Sequence, residues 1–414
     1  MIAEILSTGD EIRSGSLTDT NSAWLSQKLE EAGVDVTRHN CVGDDVPMLV
    51  AVMKEIGGRA NLCLVTGGLG PTVDDLSAEA AARAACVGLI QNDTALRSIE
   101  AFFASRNLTM PDSNRKQAVL PESAQVLPNP VGTAPGFSLI IGECRFFFMP
   151  GVPYEMRQMM ADAVMPLIHE IQGEDRPIHR IKTLSTFGLT ESMAGQQVAD
   201  VTSAFPGLKL GLRAKFPEIQ IKFYASGKDE AALDRLLDEA TRWVQGRLGD
   251  KVFSTTGASM AAVVGDLLRE KGATLALAES CTGGLIASLM TDVSGSSDYF
   301  LFSGITYSDA AKTGVLGVSP RTLEAHGAVS EETVREMASG ARRVAGATYG
   351  LATSGIAGPS GGTDEKPVGT VCIGLATPEK VTAYRFRYHF PRRAMNKSIF
   401  AMKALDILRR AIPG

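Results

Sequence analysis

The sequence predicts an α/β fold in which two layered α/β/α domains flank a small α+β module. Two patterns lead to this prediction. Strands and helices alternate in the first and last parts of the chain, and strands with alternating apolar residues fill the part between them. A chain of 414 residues is also too long for a single hydrophobic core. We expect domains over residues 1–170, 171–253 and 254–414.

The first domain should contain a parallel sheet covered by helices. Its apolar periodicity predicts strands over residues 2–7, 34–42 and 62–65, and helices over residues 21–32 and 46–56. The strand at 62–65 is apolar throughout, as is typical of a parallel strand that is buried on both faces. A glycine-rich loop and another helix pattern follow it. This order of strands and helices favours a parallel sheet.

The other two domains differ from each other in pattern. In the middle one, apolar residues alternate at 208, 210 and 212 and again at 219, 221 and 223, which predicts half-buried strands. An amphipathic helix is expected over residues 231–248. The last domain starts near Gly257 and returns to the alternation of strand and helix. It ends in a helix that we expect over residues 394–411.

The composition indicates a globular protein of the cytoplasm. Hydrophobic residues make up 44% and charged residues 21%, and the net charge of −5 provides no general attraction to nucleic acid or to membranes. No apolar run approaches the roughly 20 residues that span a bilayer. The start of the chain lacks the basic region of a signal peptide. The six scattered cysteines form no Cys-x-x-Cys pair, so we expect free thiols.

The first domain carries a glycine-rich, acidic loop at the end of a strand. Three of its glycines would let the backbone approach a ligand closely, namely Gly67, Gly68 and Gly70. The carboxylates of Asp74 and Asp75, together with Asp44, are candidate ligands for a divalent cation. The alternative is a tight turn whose aspartates cap the next helix. The acidic segment 7–11 falls on the same predicted rim and favours a binding site.

The last domain contains a candidate nucleophile. Ser280 stands between an apolar strand and a helix pattern that starts at Leu285, where backbone N–H groups and the helix dipole favour negative charge. Lys312 and a glycine-rich run over residues 354–363 follow in the same domain. A serine, a lysine and a phosphate-type loop together predict covalent hydrolysis of a small phosphorylated substrate.

Lys312 is the expected general base. Only His326 and His389 fall in this domain, and it has no Gly-x-Ser-x-Gly motif. A lysine base must be neutral, so its pKa must be lowered by burial or by a nearby cation. Tyr307 is a candidate for orienting the pair or relaying a proton. The simpler alternatives are a Ser280 that only caps the helix and a Lys312 that is only a solvated surface lysine.

Several backbone groups are expected to bind the substrate. N–H groups after Ser280 would hold the oxyanion, and the glycine-rich run would hold a phosphate. The residues predicted for these roles are Thr282, Gly283, Gly358, Ser360, Gly361, Gly362 and Thr363. Cys281 is the rival nucleophile, although a small cysteine is often simply buried.

The first domain also resembles a known family. Five motifs carry the resemblance: Ser7-Thr-Gly-Asp-Glu11, Thr66-Gly-Gly-Leu-Gly-Pro-Thr-Val-Asp-Asp75, Asn114-Arg-Lys-Gln-Ala118, Asn129-Pro-Val-Gly-Thr-Ala-Pro-Gly136 and Pro150-Gly-Val-Pro-Tyr-Glu-Met156. They resemble the molybdopterin-binding (MoaB/MogA-like) domain and, more closely, its version in the competence/damage-inducible protein CinA family. The resemblance implies metal-dependent hydrolysis of ADP-ribose to AMP and ribose 5-phosphate.

The last domain resembles the C-terminal domain of the same family. The matching motifs are Ala278-Glu-Ser-Cys-Thr-Gly-Gly284, Tyr307-Ser-Asp-Ala-Ala-Lys312, His326-Gly-Ala-Val-Ser330 and Ser354-Gly-Ile-Ala-Gly-Pro-Ser-Gly-Gly-Thr363. The resemblance implies a serine/lysine amidohydrolase without a cofactor that deamidates nicotinamide mononucleotide (NMN). The family often has Gly-Asp-Arg before its last helix and a second arginine four residues later. Here the residues are Pro391-Arg-Arg393 and Lys397, so Arg393 can meet a phosphate, but Lys397 cannot form a bidentate fork.

The resemblance further implies that the middle module is of the KH type. KH domains clamp nucleic acid with a Gly-x-x-Gly loop. Between residues 176 and 251 the pattern occurs once, as Gly246-Arg-Leu-Gly249, at the end of the helix expected over residues 231–248 and not in a loop between two helices. We therefore expect an architectural or dimerising role, a homodimer and no nucleic-acid partner. The chain as a whole is expected to act on small nucleotides in pyridine-nucleotide salvage. Two alternatives remain open, a molybdopterin-binding protein and a non-enzymatic adaptor in competence or DNA repair.

Overall fold

A computed structural model describes residues 1–173 and 176–413 of the chain. The described residues form a six-stranded, a four-stranded and a five-stranded sheet with helices, together with a two-stranded ribbon. The predicted α/β class, with two layered domains and a small module, is confirmed. By its internal contacts the chain divides into two compact units, Met1–Arg180 with Ser226–Leu233 and Ile181–Ala225 with Asp234–Gly414. The second unit thus contains most of the middle module as well as the last domain.

The first domain alternates strands and helices along the chain. Its strands are β1 Ile2–Thr8, β2 Asp35–Val42, β3 Leu62–Thr66, β4 Leu89–Gln91, β5 Val119–Pro121, β6 Gln125–Leu127, β7 Gly136–Ile141 and β8 Cys144–Met149. Its helices are α1 Asp10–Arg13, α2 Thr20–Glu31, α3 Val46–Gly57, α4 Ser77–Ala85, α5 Asp93–Ala104, α6 Pro153–Met159 and α7 Met165–Gln172. The strands and helices expected in residues 2–66 all form, within one or two residues of the predicted bounds.

Helices cover both faces of the six-stranded sheet. Neighbouring residues of a strand point to opposite faces, so Cys63 and Val65 of β3 pack in one core with α3, α4 and α5. Leu62 and Leu64 pack in a second core with α2, α6 and α7. This double burial explains why β3 is apolar throughout.

The six-stranded sheet is mixed, which corrects the prediction of a parallel sheet. Its order is β2-β1-β3-β8-β7-β6. The first four strands are parallel to one another, whereas β7 runs antiparallel to both of its neighbours, β8 and β6. Strands β7 and β8 are joined by only two residues, and such a short turn cannot make the crossover that a parallel pair needs.

The middle module is a four-stranded sheet with helices. Its elements are β9 Ile178–Phe187, α8 Glu191–Val198, α9 Val201–Ala204, β10 Leu208–Lys215, β11 Glu218–Gly227, α10 Glu230–Leu248 and β12 Val252–Ser254. The sheet order is β10-β11-β9-β12. The two strands that the alternating pattern predicted, β10 and β11, form an antiparallel hairpin that pairs Leu212 with Ile221.

The last domain has a five-stranded sheet in the order β14-β13-β15-β16-β17. Its elements are α11 Met260–Glu270, β13 Leu275–Glu279, α12 Leu285–Thr291, β14 Phe300–Ile305, α13 Asp309–Leu316, α14 Pro320–His326, α15 Glu331–Ala345, β15 Tyr349–Gly355, β16 Thr370–Ala376, β17 Val381–Arg387 and α16 Arg393–Ala411. Leu275 and Leu277 pack with α11, α12 and α16, whereas Ala276 and Ala278 pack with α15. The three layers follow from this alternation.

Two aromatic residues of the middle module belong to the core of the last domain. Phe187 at the end of β9 and Phe253 in β12 are buried in the same cluster as the inward-facing residues of β13 and α16. No described helix is long and apolar enough to cross a bilayer.

A fragment cut at Thr255 should therefore be less stable than one cut at Ile181. The shorter fragment loses Phe187 and Phe253, and burial of such a side chain contributes about 1.5–3 kcal/mol. We expect the fragment 255–414 to unfold roughly 5–15 °C below the fragment 181–414. Circular dichroism melts at matched concentration test this, and equal midpoints would contradict the shared core.

Candidate active site

Three neighbouring parallel strands of the last domain end at the same edge of their sheet. Strand β13 lies between β14 and β15 and pairs in parallel with both. Ser280 follows β13, Lys312 lies in the helix after β14, and the glycine-rich loop follows β15. The chain leaves β13 for one neighbour and later returns to its other side. Open α/β sheets bind ligands at such a switch point.

A buried carboxylate connects strand β13 to helix α12. Glu279 is 1% exposed, and its two oxygens accept hydrogen bonds from the N–H groups of Gly284, Ile286 and Ala287 at 2.8–3.1 Å. These are N–H groups that the first turn of a helix leaves without intrahelical partners. The sequence analysis missed this residue. Its position between an apolar strand and a helix start could have indicated that it binds the N–H groups of that helix.

Ser280 lies in the turn that Glu279 holds. Its N–H donates to the carbonyl oxygen of Thr353 on β15 at 3.0 Å, and its carbonyl accepts from the N–H of Gly283 at 3.1 Å. The N-cap of α12 is Gly284, without a side-chain cap, so Ser280 does not cap the helix. The serine is only 8% exposed. Its position near a helix start had suggested an accessible surface site, and the structure corrects this.

Lys312 is buried beside Ser280. Its side chain is 1% exposed, and Nζ lies 3.5 Å from Oγ of Ser280. Nζ also donates to the carbonyl oxygen of Tyr307 at 3.0 Å. Burial lowers the pKa of Lys312, and the carboxylate of Asp309, 3.8 Å away, opposes this shift. The alternative of a solvated surface lysine is therefore wrong.

Cys281 does not have the properties of a nucleophile. It is buried, and burial raises the pKa of its thiol to about 12. Because the thiolate is the reactive form, this cysteine is almost entirely in its unreactive state at neutral pH.

The phenol of Tyr307 is hydrogen-bonded to Arg393. Its side chain is 61% exposed, and its Oη accepts from Nη2 of Arg393 at 3.3 Å. Nη1 of Arg393 donates to the carbonyl oxygen of Gly358 at 2.8 Å. Tyr307 thus orients Lys312 through its main-chain carbonyl, whereas its ring lies at the mouth of the site.

The turn after Ser280 offers few N–H groups for an oxyanion. The N–H of Gly283 donates to the carbonyl of Ser280. The N–H groups of Gly284 and Ile286 donate to Glu279, and the N–H between them closes the turn on the carbonyl of Thr282. The N–H groups of Cys281 and Thr282 donate to no other residue in the described part of the chain. The hydroxyl of Thr282 lies 2.7 Å from that of Thr353. The predicted oxyanion role of Gly283 does not fit this arrangement, and Cys281 provides the better donor.

The glycine-rich loop is open to solvent in its central part. The exposed residues of this part are Ser360, Gly361, Gly362 and Thr363. Gly358 is buried, and its carbonyl is bound by Arg393. The N–H of Thr363 donates to the carbonyl of Lys366 at 3.0 Å, so this N–H closes a turn and is not directed at a ligand.

Lys397 lies over the turn that carries Ser280. A Cβ added to Gly283 would lie 3.5 Å from Nζ of Lys397. Gly283 and Gly284 have φ values of +59° and +88°, which side-chain-bearing residues rarely adopt. Together with Arg393 this lysine forms a positive rim beside the serine. The sequence alone had not shown what Lys397 contacts.

In the first domain, the glycine-rich loop approaches other backbone closely. A Cβ on Gly67 would lie 2.5 Å from the carbonyl oxygen of Thr8, and one on Gly68 would lie 2.4 Å from Oγ of Ser77. Gly67 and Gly68 also have positive φ. Gly68 and Gly70 line a pocket with Lys116 and Gln117. Close packing within the loop is thus one reason for the glycines.

The three predicted metal ligands are not brought together. Oδ2 of Asp75 accepts from the N–H and the hydroxyl of Thr72 at 2.8 and 2.6 Å, so this carboxylate closes a tight turn. It does not cap helix α4, whose N-cap is Leu76 without a side-chain cap, so the turn alternative is only partly correct. Asp44 lies near other acids: burial raises its pKa, and the like charge of Asp74 adds to this shift. Among residues 1–173 and 176–413, no three His, Cys, Asp or Glu side chains are arranged to hold a metal ion. Asp44 and Asp74 alone fit the small number of carboxylates that Mg²⁺ takes when phosphates complete its shell.

Three family models match the chain in order. They are the probable molybdopterin binding domain over residues 4–170, the damage-inducible protein CinA KH domain over residues 181–254 and the CinA C-terminal domain over residues 257–412.

Similar proteins span the whole chain. A CinA-like protein of Desulfosudis oleivorans is 55% identical over 412 residues, which cover 100% of both chains. A CinA-like protein of Desulforapulum autotrophicum is 49% identical, with 99% of this chain and 98% of that protein covered. Among solved structures, the competence/damage inducible protein CihA from Agrobacterium tumefaciens is 35% identical, with 36% of this chain and 94% of that chain covered and a TM-score of 0.35. Because the two CinA-like proteins are 55% and 49% identical to this chain over nearly its whole length, the chain belongs to the CinA family.

Proposed function

We propose that the last domain is an amidohydrolase that converts NMN and water to nicotinate mononucleotide and ammonia. One observation carries the proposal: the buried amine of Lys312 lies 3.5 Å from the hydroxyl of Ser280 at a sheet switch point. A nucleophile beside a base of lowered pKa is the arrangement that covalent hydrolysis of an amide needs. The resemblance noted in the sequence supplies the substrate class.

The proposed reaction has two halves. Neutral Lys312 takes the proton of Ser280 as Oγ attacks the carboxamide carbon, and the N–H groups of Cys281 and Thr282 stabilise the oxyanion. Ammonia leaves with the proton that Lys312 returns, and an acyl ester on Ser280 remains. Lys312 then takes a proton from water, which attacks the ester. Lys312 returns that proton to Oγ of Ser280 as the ester bond breaks, and the carboxylic acid product loses its own proton to the solvent.

The positive rim gives a reason for preferring a phosphorylated amide. Arg393 and Lys397 stand at the first and second turns of α16, on the side of Ser280 and of the glycine-rich loop. Arginine forms paired hydrogen bonds with phosphate, whereas lysine acts as a point charge. Substrate recognition is therefore assigned to permanent cations and exposed loop backbone, and the chemistry to the buried pair.

We propose, second, that the first domain hydrolyses ADP-ribose with a divalent cation. The supporting observation is the acidic neighbourhood of Asp44, which includes Asp10, Glu11 and Asp74 and adjoins the rim of the glycine-rich loop. Asp44 and Asp74 would hold the cation, and the pyrophosphate of the substrate would complete its shell. The cation would neutralise charge on the pyrophosphate.

Replacing the nucleophile should abolish deamidation only. We expect Ser280→Ala to lower kcat for NMN by about three orders of magnitude or more, since no other group can form the acyl ester. The matched variant Cys281→Ala should keep near-normal kcat because its thiol is protonated and buried. Ammonia release measured for both full-length variants tests this. The reverse pattern would make Cys281 the nucleophile.

Lys312 should control the pH dependence of deamidation. Its pKa is lowered, and the neutral amine is the active form, so kcat/KM should rise with pH up to that pKa. Asp309→Asn removes the charge that raises this pKa, so the rising limb should move to lower pH. Lys312→Arg should be nearly as damaging as Lys312→Ala, because guanidinium cannot accept the proton. Recovery of kcat by arginine would exclude a base role.

The two neighbouring aspartates of the first domain should behave differently. Asp74→Asn should weaken activation of ADP-ribose cleavage by the cation about tenfold or more, because a candidate ligand is lost. Asp75→Asn should mainly lower thermal stability, since its carboxylate holds Thr72. Cation titrations and melts of both variants distinguish the roles. Full ADP-ribose cleavage in excess chelator would exclude the cation, and tight binding of molybdopterin without cleavage would favour the molybdopterin-binding alternative.

A further inference from the structure

The tip of the β10–β11 hairpin contacts the last domain. Phe216 lies in the two-residue turn between the strands and is 44% exposed. Its ring meets that of Phe390 edge to face, with centroids 4.9 Å apart and planes at 79°. This is a preferred geometry for an aromatic pair.

Phe390 terminates a row of aromatic rings that begins on β17. It stacks on Tyr388 at a centroid distance of 6.4 Å, and Tyr388 contacts Phe400 of α16 at 6.1 Å. Phe390 and Tyr388 both pack against the main core of the last domain. The inner end of the row is therefore anchored in the core, and the hairpin tip meets its outer end.

The main chain of Phe390 is tied to the proposed phosphate site. Its carbonyl oxygen accepts from Nδ2 of Asn396 at 3.1 Å, and the same nitrogen donates to the carbonyl oxygen of Ala357 at 3.1 Å. Asn396 is fully buried. One amide thus joins the segment before α16 to the start of the glycine-rich loop. Arg393, three residues after Phe390, binds the next carbonyl of that loop, that of Gly358.

We infer that Phe216 of the middle module is a positioning residue for substrate phosphate in the last domain, an inference that rests on the proposed deamidase function. Its ring restricts Phe390, and Phe390 fixes the segment that presents Arg393 to the loop. The ring of Phe216 contacts Phe390, and Phe216 is not among the hydrogen-bond partners of Ser280 or Lys312 in the described part of the chain. It therefore acts on binding and not on the chemical step. The middle module thereby gains a role in substrate recognition.

The test compares NMN deamidation by full-length variants. Phe216→Ala should raise KM by about three- to tenfold, the range that loss of one aromatic pair supports, with kcat within about twofold of the parent. Phe216→Tyr keeps the ring and should restore the parental KM. A parental KM in Phe216→Ala, or a loss confined to kcat, would overturn the inference.

A matched control separates positioning from general weakening of the module. Phe205 and Trp243 form another edge-to-face pair in the same module, with centroids 6.2 Å apart, and neither is recorded in contact with Phe390. Phe205→Ala should leave KM for NMN unchanged. If it raises KM as much as Phe216→Ala does, the effect is one of module stability and the inference is wrong.

A double-mutant cycle tests the route through Arg393. If Phe216 acts by presenting Arg393, then Phe216→Ala should add little to the KM of Arg393→Ala. Additive effects of the two changes would overturn this route. The parent and Ser280→Ala are assayed beside these variants. A parent without deamidase activity would refute the proposed function itself, whereas an active parent with an unchanged Phe216→Ala variant would refute only the positioning role.

Discussion

The buried carboxylate of Glu279 is the interaction on which the geometry of the candidate site depends. A charge with almost no exposed surface is costly unless hydrogen bonds satisfy it, and here three backbone N–H groups do so. To supply them, the chain must turn back sharply between β13 and α12, and Gly283 and Gly284 adopt the left-handed conformations that this turn needs. Ser280 is placed inside this turn, so its position is set by the carboxylate beside it.

The same arrangement separates two kinds of positive charge. Lys312 is enclosed, and burial favours its neutral form, whereas Arg393 and Lys397 stand at the rim. A guanidinium stays charged in nearly any environment, but a buried ammonium readily gives up its proton. The depth of each residue in the domain therefore distinguishes Lys312, the proposed proton acceptor, from Arg393 and Lys397, the proposed anchors for an anion.

Local patterns were enough to predict the elements that carry the site. The apolar run before Ser280 became β13, the following periodicity became α12, and the lysine and the glycine-rich loop were assigned to the same domain. Contacts between distant residues could not be predicted in this way. Periodicity does not say whether a strand runs parallel, so the antiparallel strands β7 and β16 were missed. Nor does it show that Phe187 joins a core assembled mainly from residues beyond 260.

The site residues likewise divide into those set by near neighbours in the sequence and those set by distant contacts. A serine at a strand end can be located from its neighbours in sequence, but the direction of a side chain depends on what packs around it. Tyr307 sends its ring to Arg393, 86 residues later, and only its carbonyl to Lys312. Asp75, by contrast, accepts a hydrogen bond from Thr72, only three residues earlier. A turn formed by such near neighbours could be predicted from the sequence.

The enclosure of Cys281 has a consequence for how the protein would tolerate peroxide. Oxidation of cysteine begins at the thiolate, and a thiol whose pKa is raised to about 12 presents almost none of it. A sulfur atom adjacent in sequence to the proposed nucleophile would otherwise be a point of oxidative inactivation, because a sulfinic acid there would place a new charge beside Ser280. Among the described cysteines, Cys41 and Cys86 are the exposed ones, and both belong to the first domain. Oxidative damage to thiols should therefore begin in the first domain, away from the serine and lysine of the last one.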